Sequence, residues 1–379
     1  MDNLIRRFDA TQAGDLMITE RGIAYQKDMS RSFKYDKEYF DCYLDYNNSP
    51  ICKDLHRARK EFVDKYHGKL VLDIGVGSGE FIKSRPKTKG YDINPHAVNW
   101  LETYGYYSDQ FADFKAFTFW DVIEHVQDPN SYFKHIRKDA YLFTSIPVFK
   151  KLERVRLSKH YKPNEHLYYF TEEGFINWMA LYGFRLLEKD DFESRLGRED
   201  VMSFAFKRDL PDYHYMLGQY IDLHFQKHYG DSANAYIEQI TPEVIFLNPK
   251  TILDYGCGRS DLVAYFYKDG ERELHRYDPG IPQYKEMPGG EFDLVFCCDV
   301  MEHILMRDVE RIFGELKAKS KNILFTIFLG KARTRLPDGQ NAHVTLLTKG
   351  EWMRWVEDYF KKAEEIPLGN EKILMLKTW

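Results

Sequence analysis

The chain has 379 residues, and at about 150 residues per domain this length predicts two or three domains. Apolar residues make up 44% of the sequence and aromatic residues 16%, which is enough for a core in each domain. The 54 Lys and Arg against 59 Asp and Glu give a net charge of −5, which argues against binding to nucleic acid through bulk positive charge.

The five cysteines are an odd number and include no C-x-x-C pair, so neither a disulfide framework nor a zinc cluster is expected. The sequence contains no run of about 18 apolar residues, and its start lacks the apolar stretch of a signal peptide. These features predict a soluble, cytoplasmic protein that does not associate with membranes.

Three motifs occur twice along the chain. KLVLDIGVGSGEFI near residue 70 corresponds to TILDYGCGRSDLV near 251, and FTFWDVIEHV at 117–126 corresponds to VFCCDVMEHI at 295–304. EHLYYFTEEGFINW at 165–178 corresponds to AHVTLLTKGEWMRW at 342–355. The three pairs are offset by 181, 178 and 177 residues, a spacing that predicts a tandem of two homologous domains rather than a solenoid.

A domain boundary is predicted at 208–213, where KRDLPDY combines charge and proline after a strand-like run. The first domain then spans 1–210 and includes an N-terminal extension, residues 1–50, with no assignable pattern. The second domain spans 211–379, and residues 213–247 are predicted to form two helices that lead into its sheet.

Short apolar runs alternate with helical patterns in both halves, which is typical of an α/β fold with a doubly wound parallel sheet. The first half is predicted to contain strands at 69–74, 88–92, 115–121, 140–146, 184–188 and 201–207, and helices near 53–66, 95–104, 129–137 and 172–182. The second half is predicted to contain strands at 250–255, 273–277, 292–298, 321–328, 362–366 and 371–378.

A glycine-rich turn follows the first predicted strand of each half. In the first half the strand ends at Asp73, and glycines then occupy every second position, which lets the backbone approach a ligand closely. An acid also closes the second strand, Asp92 in the first half and Asp278 in the second, where a carboxylate usually binds ribose hydroxyls. An acid two residues before the first glycine would repel a pyrophosphate but suits an ammonium or sulfonium group. The pattern therefore favours S-adenosylmethionine over NAD.

On these motifs the first half, over roughly 60–190, resembles the class I S-adenosylmethionine-dependent methyltransferases, in particular small-molecule enzymes of the ubiquinone-biosynthesis type. The second half, over roughly 248–360, is similar to a methyltransferase family common in phage and bacterial genomes, through LDYGCG, YDPGIPQY, FDLVFCCDVMEHI and DGQNAHVT. The resemblance implies two Rossmann-like seven-stranded domains. It also implies cofactor contacts at Asp73, Gly75, Gly77, Gly79, Asp92 and Asp121, and at Asp254, Gly256, Gly258, Asp278 and Asp299.

The second half departs from this pattern in two places. Arg259 and Ser260 replace the serine and third glycine of the loop, and only 14 residues lead from Asp278 to Phe292, against 22 at the same place in the first half. This leaves no room for the helix and third strand that usually wall the adenine. The second domain is therefore either a degenerate partner or a trimmed but working site, and its retained acids favour cofactor binding.

Two histidines in each half are candidates for the general base that an O or N acceptor requires. His125 and His303 follow the fourth strand in D-V-x-E-H, and His166 and His343 follow the fifth strand, on the acceptor side of such folds. A hydrogen bond within its own loop is the alternative for each of the first two, and a structural role for the others. Glu124 and Glu302 would orient these histidines or cap a helix, and no metal site is expected.

Two basic segments lie where the acceptor is expected to bind. The stretch 150–162 carries six Lys or Arg, and the second half has Lys331, Arg333 and Arg335 in the corresponding place. Arginine suits phosphate and carboxylate geometry, so an anionic acceptor such as a nucleotide, sugar nucleotide or nucleic acid is one hypothesis, and a solvated loop is the other. Nucleic acid has no motif support, because no Asp/Asn/Ser-Pro-Pro-aromatic loop is present. Cys297 and Cys298 lie in an apolar strand rather than in a Pro-Cys nucleophile loop.

The sequence thus predicts a tandem methyltransferase whose first domain is the catalyst and whose acceptor is methylated on O or N. A scaffold or binding protein built of degenerate copies is the alternative, and the intact glycines of the first copy argue against it. An NAD-type oxidoreductase is disfavoured by the loop spacing.

Overall fold

The structure is a computed structural model that describes residues 4–29, 36–38, 40–41, 50–225, 229–266 and 271–379; Cys42 lies outside this part. The chain divides into two compact units, residues 1–210 and 211–379, which are described here one at a time. None of the helices in the described ranges is both long and apolar enough to cross a membrane.

The first unit alternates strands and helices after an all-β beginning. Its strands are β1 (Ala10–Ala13), β2 (Leu16–Thr19), β3 (Ile23–Gln26), β4 (Val71–Ile74), β5 (Thr88–Tyr91), β6 (Ala116–Trp120), β7 (Tyr141–Pro147), β8 (Tyr168–Phe170), β9 (Arg185–Asp190) and β10 (Val201–Lys207). Its α-helices are α1 (Pro50–Asp64), α2 (Glu80–Ser84), α3 (Pro95–Thr103), α4 (Asn130–Phe133), α5 (Glu172–Leu181) and α6 (Phe192–Arg195).

The main sheet of the first unit has the order β5-β4-β6-β7-β10-β9. It is parallel except for β10, which runs antiparallel to both neighbours, so the expected all-parallel sheet is corrected to a mixed one. Six strands are described where seven were expected. Beyond β5, Tyr107 makes a single parallel bridge to Gly90, and a short 3₁₀ turn at Phe111–Asp113 follows.

The N-terminal extension, unassigned from sequence, forms an antiparallel meander of β1, β2 and β3 that is joined by β8. Gly14 and Gly22 adopt positive φ in its two turns. The apolar side chains of β3 and β8 belong to the main core of the unit. This small sheet matters for the site because β8 begins two residues after His166.

One helix of the first unit is shorter than predicted. The pattern indicated a helix near 129–137, but α4 ends at Phe133, and the chain continues through i→i+3 bonds from His135 and Ile136. Asp139 then takes left-handed backbone with φ 65°. The helical pattern is therefore completed as turns instead of α-helix.

The second unit consists of α7 (Tyr213–Phe225), α8 (Ile237–Leu247), β11 (Thr251–Tyr255), α9 (Leu262–Tyr265), β12 (Glu273–Tyr277), β13 (Leu294–Cys298), α10 (Met306–Lys319), β14 (Ile323–Phe328), α11 (Lys349–Phe360), β15 (Glu364–Glu365) and β16 (Ile373–Lys377). Its sheet order β12-β11-β13-β14-β16-β15 repeats that of the first unit, again with the penultimate strand in the order antiparallel. Residues 278–293 are described and contain neither helix nor strand. This sheet has six strands in the described residues, and none lies between β12 and β13, where the sequence leaves no room for one.

The third repeated motif has the same structural role in both units. Thr171 caps α5 by accepting from the amide of Gly174 at 3.0 Å, and Thr348 caps α11 by accepting from the amide of Glu351 at 3.2 Å. Aromatic residues four and seven positions later are buried on the inner face of each helix, namely Phe175, Trp178, Trp352 and Trp355. The motif therefore specifies a capped helix with an aromatic inner face.

Candidate functional site

The glycine loop of the first unit requires its glycines. Gly75, Gly77 and Gly79 have φ of 72°, 53° and 75°, a region that other residues rarely adopt. A Cβ on Gly75 would lie 2.6 Å from the side chain of Val122, and one on Gly79 would overlap the ring of Trp100. The loop therefore turns tightly between the end of β4 and α2.

Two carboxylates flank this loop, and one of them bonds to it. Asp73 is buried and accepts from the Thr118 hydroxyl at 2.6 Å, and burial raises the pKa of Asp73 to about 7. Asp92, at the end of β5, accepts from the amides of Val76 at 2.9 Å and Asn94 at 2.8 Å. Asp92 thus binds the glycine loop directly and still presents lone pairs to the adjoining cavity.

A cavity of about 730 Å³ opens at the carboxyl ends of β4, β5 and β6. This volume lies within the range of about 300–1,000 Å³ that is usual for small-molecule sites. The predicted residues that line it are Asp73, Gly75, Gly77, Asp92, Asp121 and His125. Gly79 and His166 lie outside it, as does the basic stretch 150–162, in which Arg156 pairs with Asp15 at 3.6 Å.

A buried ion-pair network that the sequence analysis missed forms one wall of this cavity. Arg59 on α1 contacts Glu193 at 2.7 Å and Asp121 at 3.0 Å, and Arg198 contacts the same two carboxylates. Burial alone would raise the pKa of Asp121, but Arg198 and Arg59 outweigh it and hold this pKa below its usual value. The network draws on three distant parts of the chain, and no local pattern marks it.

Glu124, His125 and His166 meet beside this cavity, with one ligand atom of each within 4.8 Å of the others. The rings of His125 and His166 are 4.6 Å apart and nearly perpendicular. The His125 Nδ1 lies 3.1 Å from the carbonyl oxygen of Glu165, and both carboxylate oxygens of Glu124 are buried with no hydrogen-bond partner among the described residues. The two candidate histidines of this half are thus one cluster, although 41 residues separate them in sequence.

The second unit repeats the glycine-loop geometry. Gly256 and Gly258 have φ of 74° and 50°, and Asp278 accepts from the amides of Gly258 and Gly280, each at 2.8 Å. Asp254 is buried, and burial raises its pKa to about 7. The Oδ2 atom of Asp254 has no hydrogen-bond partner in the described part of the chain.

The cavity of the second unit, about 1130 Å³, is larger and is covered by the helical lead-in. Tyr220 on α7 and Tyr229 and Tyr236 in the connection to α8 line it, together with Lys331 and Arg333. The predicted residues that line it are Gly256, Gly258, Asp278, Asp299, His303 and His343, whereas Asp254 lies outside it. The sequence analysis did not anticipate the tyrosines, because α7 and α8 carried no recognised motif.

Asp299 of the second unit has the backbone of Asp121 but different partners. Both have positive φ, 52° and 57°. Asp299 accepts from the Thr326 hydroxyl at 2.8 Å, and burial raises its pKa. Glu302, His303 and His343 form a cluster like that of the first unit, within 4.8 Å of one another.

Comparison with known proteins finds a family match within the first unit. Residues 43–189 match the profile of a family described as methyltransferase domain, which is less than half of the chain. A search of curated proteins finds no significant match to this sequence.

Similar solved structures are also methyltransferases by name. The methyltransferase domain of bacterial CtHen1 is 18% identical, covers 42% of this chain and 100% of its own, and has a TM-score of 0.31. An S-adenosylmethionine-dependent methyltransferase of Methanosarcina mazei is 18% identical, covers 40% of this chain and 98% of its own, and has a TM-score of 0.31. A possible histamine N-methyltransferase of Thermotoga maritima is 16% identical, covers 45% of this chain and 97% of its own, and has a TM-score of 0.36.

The profile match and the site geometry agree on the first unit. Residues 43–189, within the first unit, match a methyltransferase domain, and this match supports the expected class of reaction, methyl transfer. The expected cofactor, S-adenosylmethionine, is confirmed with it. The match ends before the second unit begins.

Proposed function

We propose that the first unit transfers the methyl group of S-adenosylmethionine to an O or N atom of a small acceptor. The observation that carries this proposal is the cavity that joins Asp73, the glycine loop, Asp92 and His125. Asp73 and the loop hold the amino-acid end of the cofactor, Asp92 the ribose, and the chain near Asp121 the sulfonium region. When bound, the cofactor supplies the methyl group, and the protein supplies alignment.

His125 is the proton acceptor in this proposal, and His166 positions it. With His125 Nδ1 hydrogen-bonded to a carbonyl, Nε2 keeps its lone pair, and burial lowers the pKa of His125 so that the ring is neutral. His166, the stronger candidate from sequence, packs behind His125 and outside the cavity. His125→Gln should therefore lower kcat more than His166→Gln, with KM for the acceptor changed less than kcat.

We propose that the second unit, if it also transfers a methyl group, binds an anionic acceptor at Lys331 and Arg333. Both side chains line a cavity, whereas the stretch 150–162 lines none of the described cavities, and Arg59 and Arg198 are neutralised by two carboxylates. Arg333→Glu should raise the acceptor KM, and Arg154→Glu should leave it unchanged. The opposite pattern would return the hypothesis to the basic stretch.

We further propose that the two units arose by tandem duplication and that the second also binds the cofactor. The same sheet order supports this, as does the loop amide that donates to Asp92 in the first unit and to Asp278 in the second. A cytoplasmic location is supported by Cys257, Cys297 and Cys298 of the second unit, which are buried and form no disulfide. A scaffold role for the second unit is the alternative.

Calorimetric titration of S-adenosylmethionine and S-adenosylhomocysteine into the full chain tests these assignments. We expect two sites per chain, one lost in Asp92→Ala and the other in Asp278→Ala. One site that only Asp92→Ala removes would make the second unit a structural partner. If Asp92→Ala leaves every site intact, the role of Asp92 is wrong.

A further inference from the structure

The Glu302–His303–His343 cluster has a ligand geometry that the methyl-transfer proposal does not use. Its three side chains all line the cavity of the second unit, whereas only His125 of the corresponding trio lines the cavity of the first. We propose that this cluster binds a divalent transition-metal cation. The proposal does not depend on methyl transfer.

Two features of the histidines support the site. His303 Nδ1 lies 2.8 Å from the carbonyl oxygen of Ala342, and His343 Nδ1 lies 2.6 Å from that of Gly330. Each Nδ1–H therefore donates to the backbone and leaves Nε2 as the ligand atom, which is how metal-bound histidines are usually oriented. The Nε2 of His303 lies 3.4 Å from the Tyr229 hydroxyl, a contact that a bound ion would replace. The two rings are 4.9 Å apart, so both can contact one ion.

The buried carboxylate of Glu302 supports the site independently of the histidines. Glu302 is fully buried, and its Oε1 accepts from the Phe328 amide at 2.8 Å, whereas Oε2 has no partner among the described residues. An unpaired buried carboxylate oxygen is costly unless a cation neutralises it. Glu302 therefore offers a cation a buried oxygen that no described residue pairs.

The surrounding charges favour the second unit over the first. Asp299 acts on Glu302 and His343, and Asp121 acts on Glu124 in the same way, but Arg198 and Lys162 also act on Glu124 and repel a cation there. Lys331 and Arg333 line the same cavity but are not among the charges that act on the cluster.

The donor set indicates the class of ion. Two imidazoles and one carboxylate with open positions suit first-row divalent ions such as Mn²⁺, Fe²⁺, Co²⁺ or Zn²⁺ better than Mg²⁺ or Ca²⁺, which prefer all-oxygen ligands. The open positions face the cavity, where an acceptor oxygen or water would complete the coordination.

Titration of the tag-free full chain with Co²⁺, followed by visible absorption and paramagnetically shifted proton resonances, tests this site. We expect one ion whose two exchangeable imidazole N–H resonances disappear one at a time in His303→Ala and His343→Ala. Glu302→Gln should weaken its affinity at least about tenfold. The matched variant Glu124→Gln, in the first unit, should leave these resonances in place.

A stability measurement separates loss of the ion from loss of the fold. Without metal, Glu302→Gln should be at least as stable as the parent, because Oε1 keeps its amide donor and the unpaired charge is removed. Co²⁺ should raise the Tm of the parent and not that of the variant. Absence of Co²⁺ binding to the parent, or binding and Tm gain that are unchanged in both Glu302→Gln and His343→Ala, would overturn the proposal.

Discussion

At the scale of single residues, Asp121 and Asp299 show how one sequence position acquires two electrostatic roles. Both end a central strand with positive φ, a conformation in which Asp is tolerated better than most side chains. Asp121 is held ionised by two arginines, whereas Asp299 has a threonine hydroxyl and no arginine partner among the described residues. The backbone is therefore repeated between the units while the charge is not.

The arginine network leads to a prediction about stability. Arg59→Met should destabilise the first unit by about 3–5 kcal/mol, because it leaves Glu193 and Asp121 short of a buried counter-charge. Arg57→Met, on the same helix, removes only the exposed pair with Asp54 and should cost less than about 1 kcal/mol. Urea denaturation followed by circular dichroism measures both, and equal effects would contradict the buried network.

Asp73 leads to a prediction about pH. Its pKa is about 7 when folded, against about 3.9 in an unfolded chain, so between these values only the folded state holds the proton. Stability from this group is therefore lost as pH rises from about 4 to 7. The stability of Asp73→Asn relative to the parent should grow by on the order of 4 kcal/mol across this window.

Urea denaturation across that pH window measures this change. The exposed residue Asp54 supplies a matched carboxylate-to-amide control, and Asp54→Asn should change the stability by less than about 1 kcal/mol. A relative stability of Asp73→Asn that does not depend on pH would show that Asp73 is ionised in the folded state.

At the scale of elements, the strand-to-helix turn after β4 is the most constrained segment of the site. Its glycines combine positive φ with contacts that leave no space for a Cβ, and Asp92 ties it to β5. The corresponding turn after β11 keeps this geometry with only two glycines, because Asp278 again accepts an amide from the loop. The acid on the second strand therefore contributes to the loop as well as to ligand binding.

The two costs of replacing a loop glycine can be measured separately. In Gly105→Ala the only penalty is the backbone strain of an alanine at φ 70°, since nothing lies within 4 Å of the added Cβ. The free energy of unfolding should fall by about 1–2 kcal/mol. Gly75→Ala adds overlap with Val122 and should cost about 1–3 kcal/mol more. S-adenosylhomocysteine binding should weaken only in Gly75→Ala; equal binding in both variants would place the ligand away from the loop.

At the scale of the whole molecule, each unit contains its own sheet, core and cavity. The residues that follow the last strand of the first unit form hydrogen bonds back to that unit. Arg208 donates to the carbonyls of Phe133 and Ile136, and the Leu210 amide donates to Gly183 at 3.2 Å. These bonds explain why the compact unit extends past β10.

A truncation series tests this boundary. The fragment 1–210 should unfold cooperatively and bind S-adenosylhomocysteine, because its sheet and cavity are complete. The fragment 1–207 should be less stable by about 1 kcal/mol for each hydrogen bond lost. Circular dichroism against urea compares the two, and equal stability would show that residues 208–210 do not belong to the fold.

The sequence alone determined the elements and their repetition. Alternating apolar runs placed the strands of both sheets, and the glycines and acids placed the loops that line both cavities, because these features depend on neighbours in the chain. The duplicated motif around Thr171 and Thr348 likewise specified a capped helix in each unit. The sequence analysis also predicted that the second unit lacks the segment between β12 and β13.

Only the tertiary structure decided which distant side chains meet. Arg59 and Arg198 each contact both Asp121 and Glu193. His166, which precedes β8, packs on His125. The tertiary structure also shows that the basic stretch 150–162 lies outside the cavity of the first unit. Such contacts depend on how folded elements pack, and a pattern read along the chain does not contain that information.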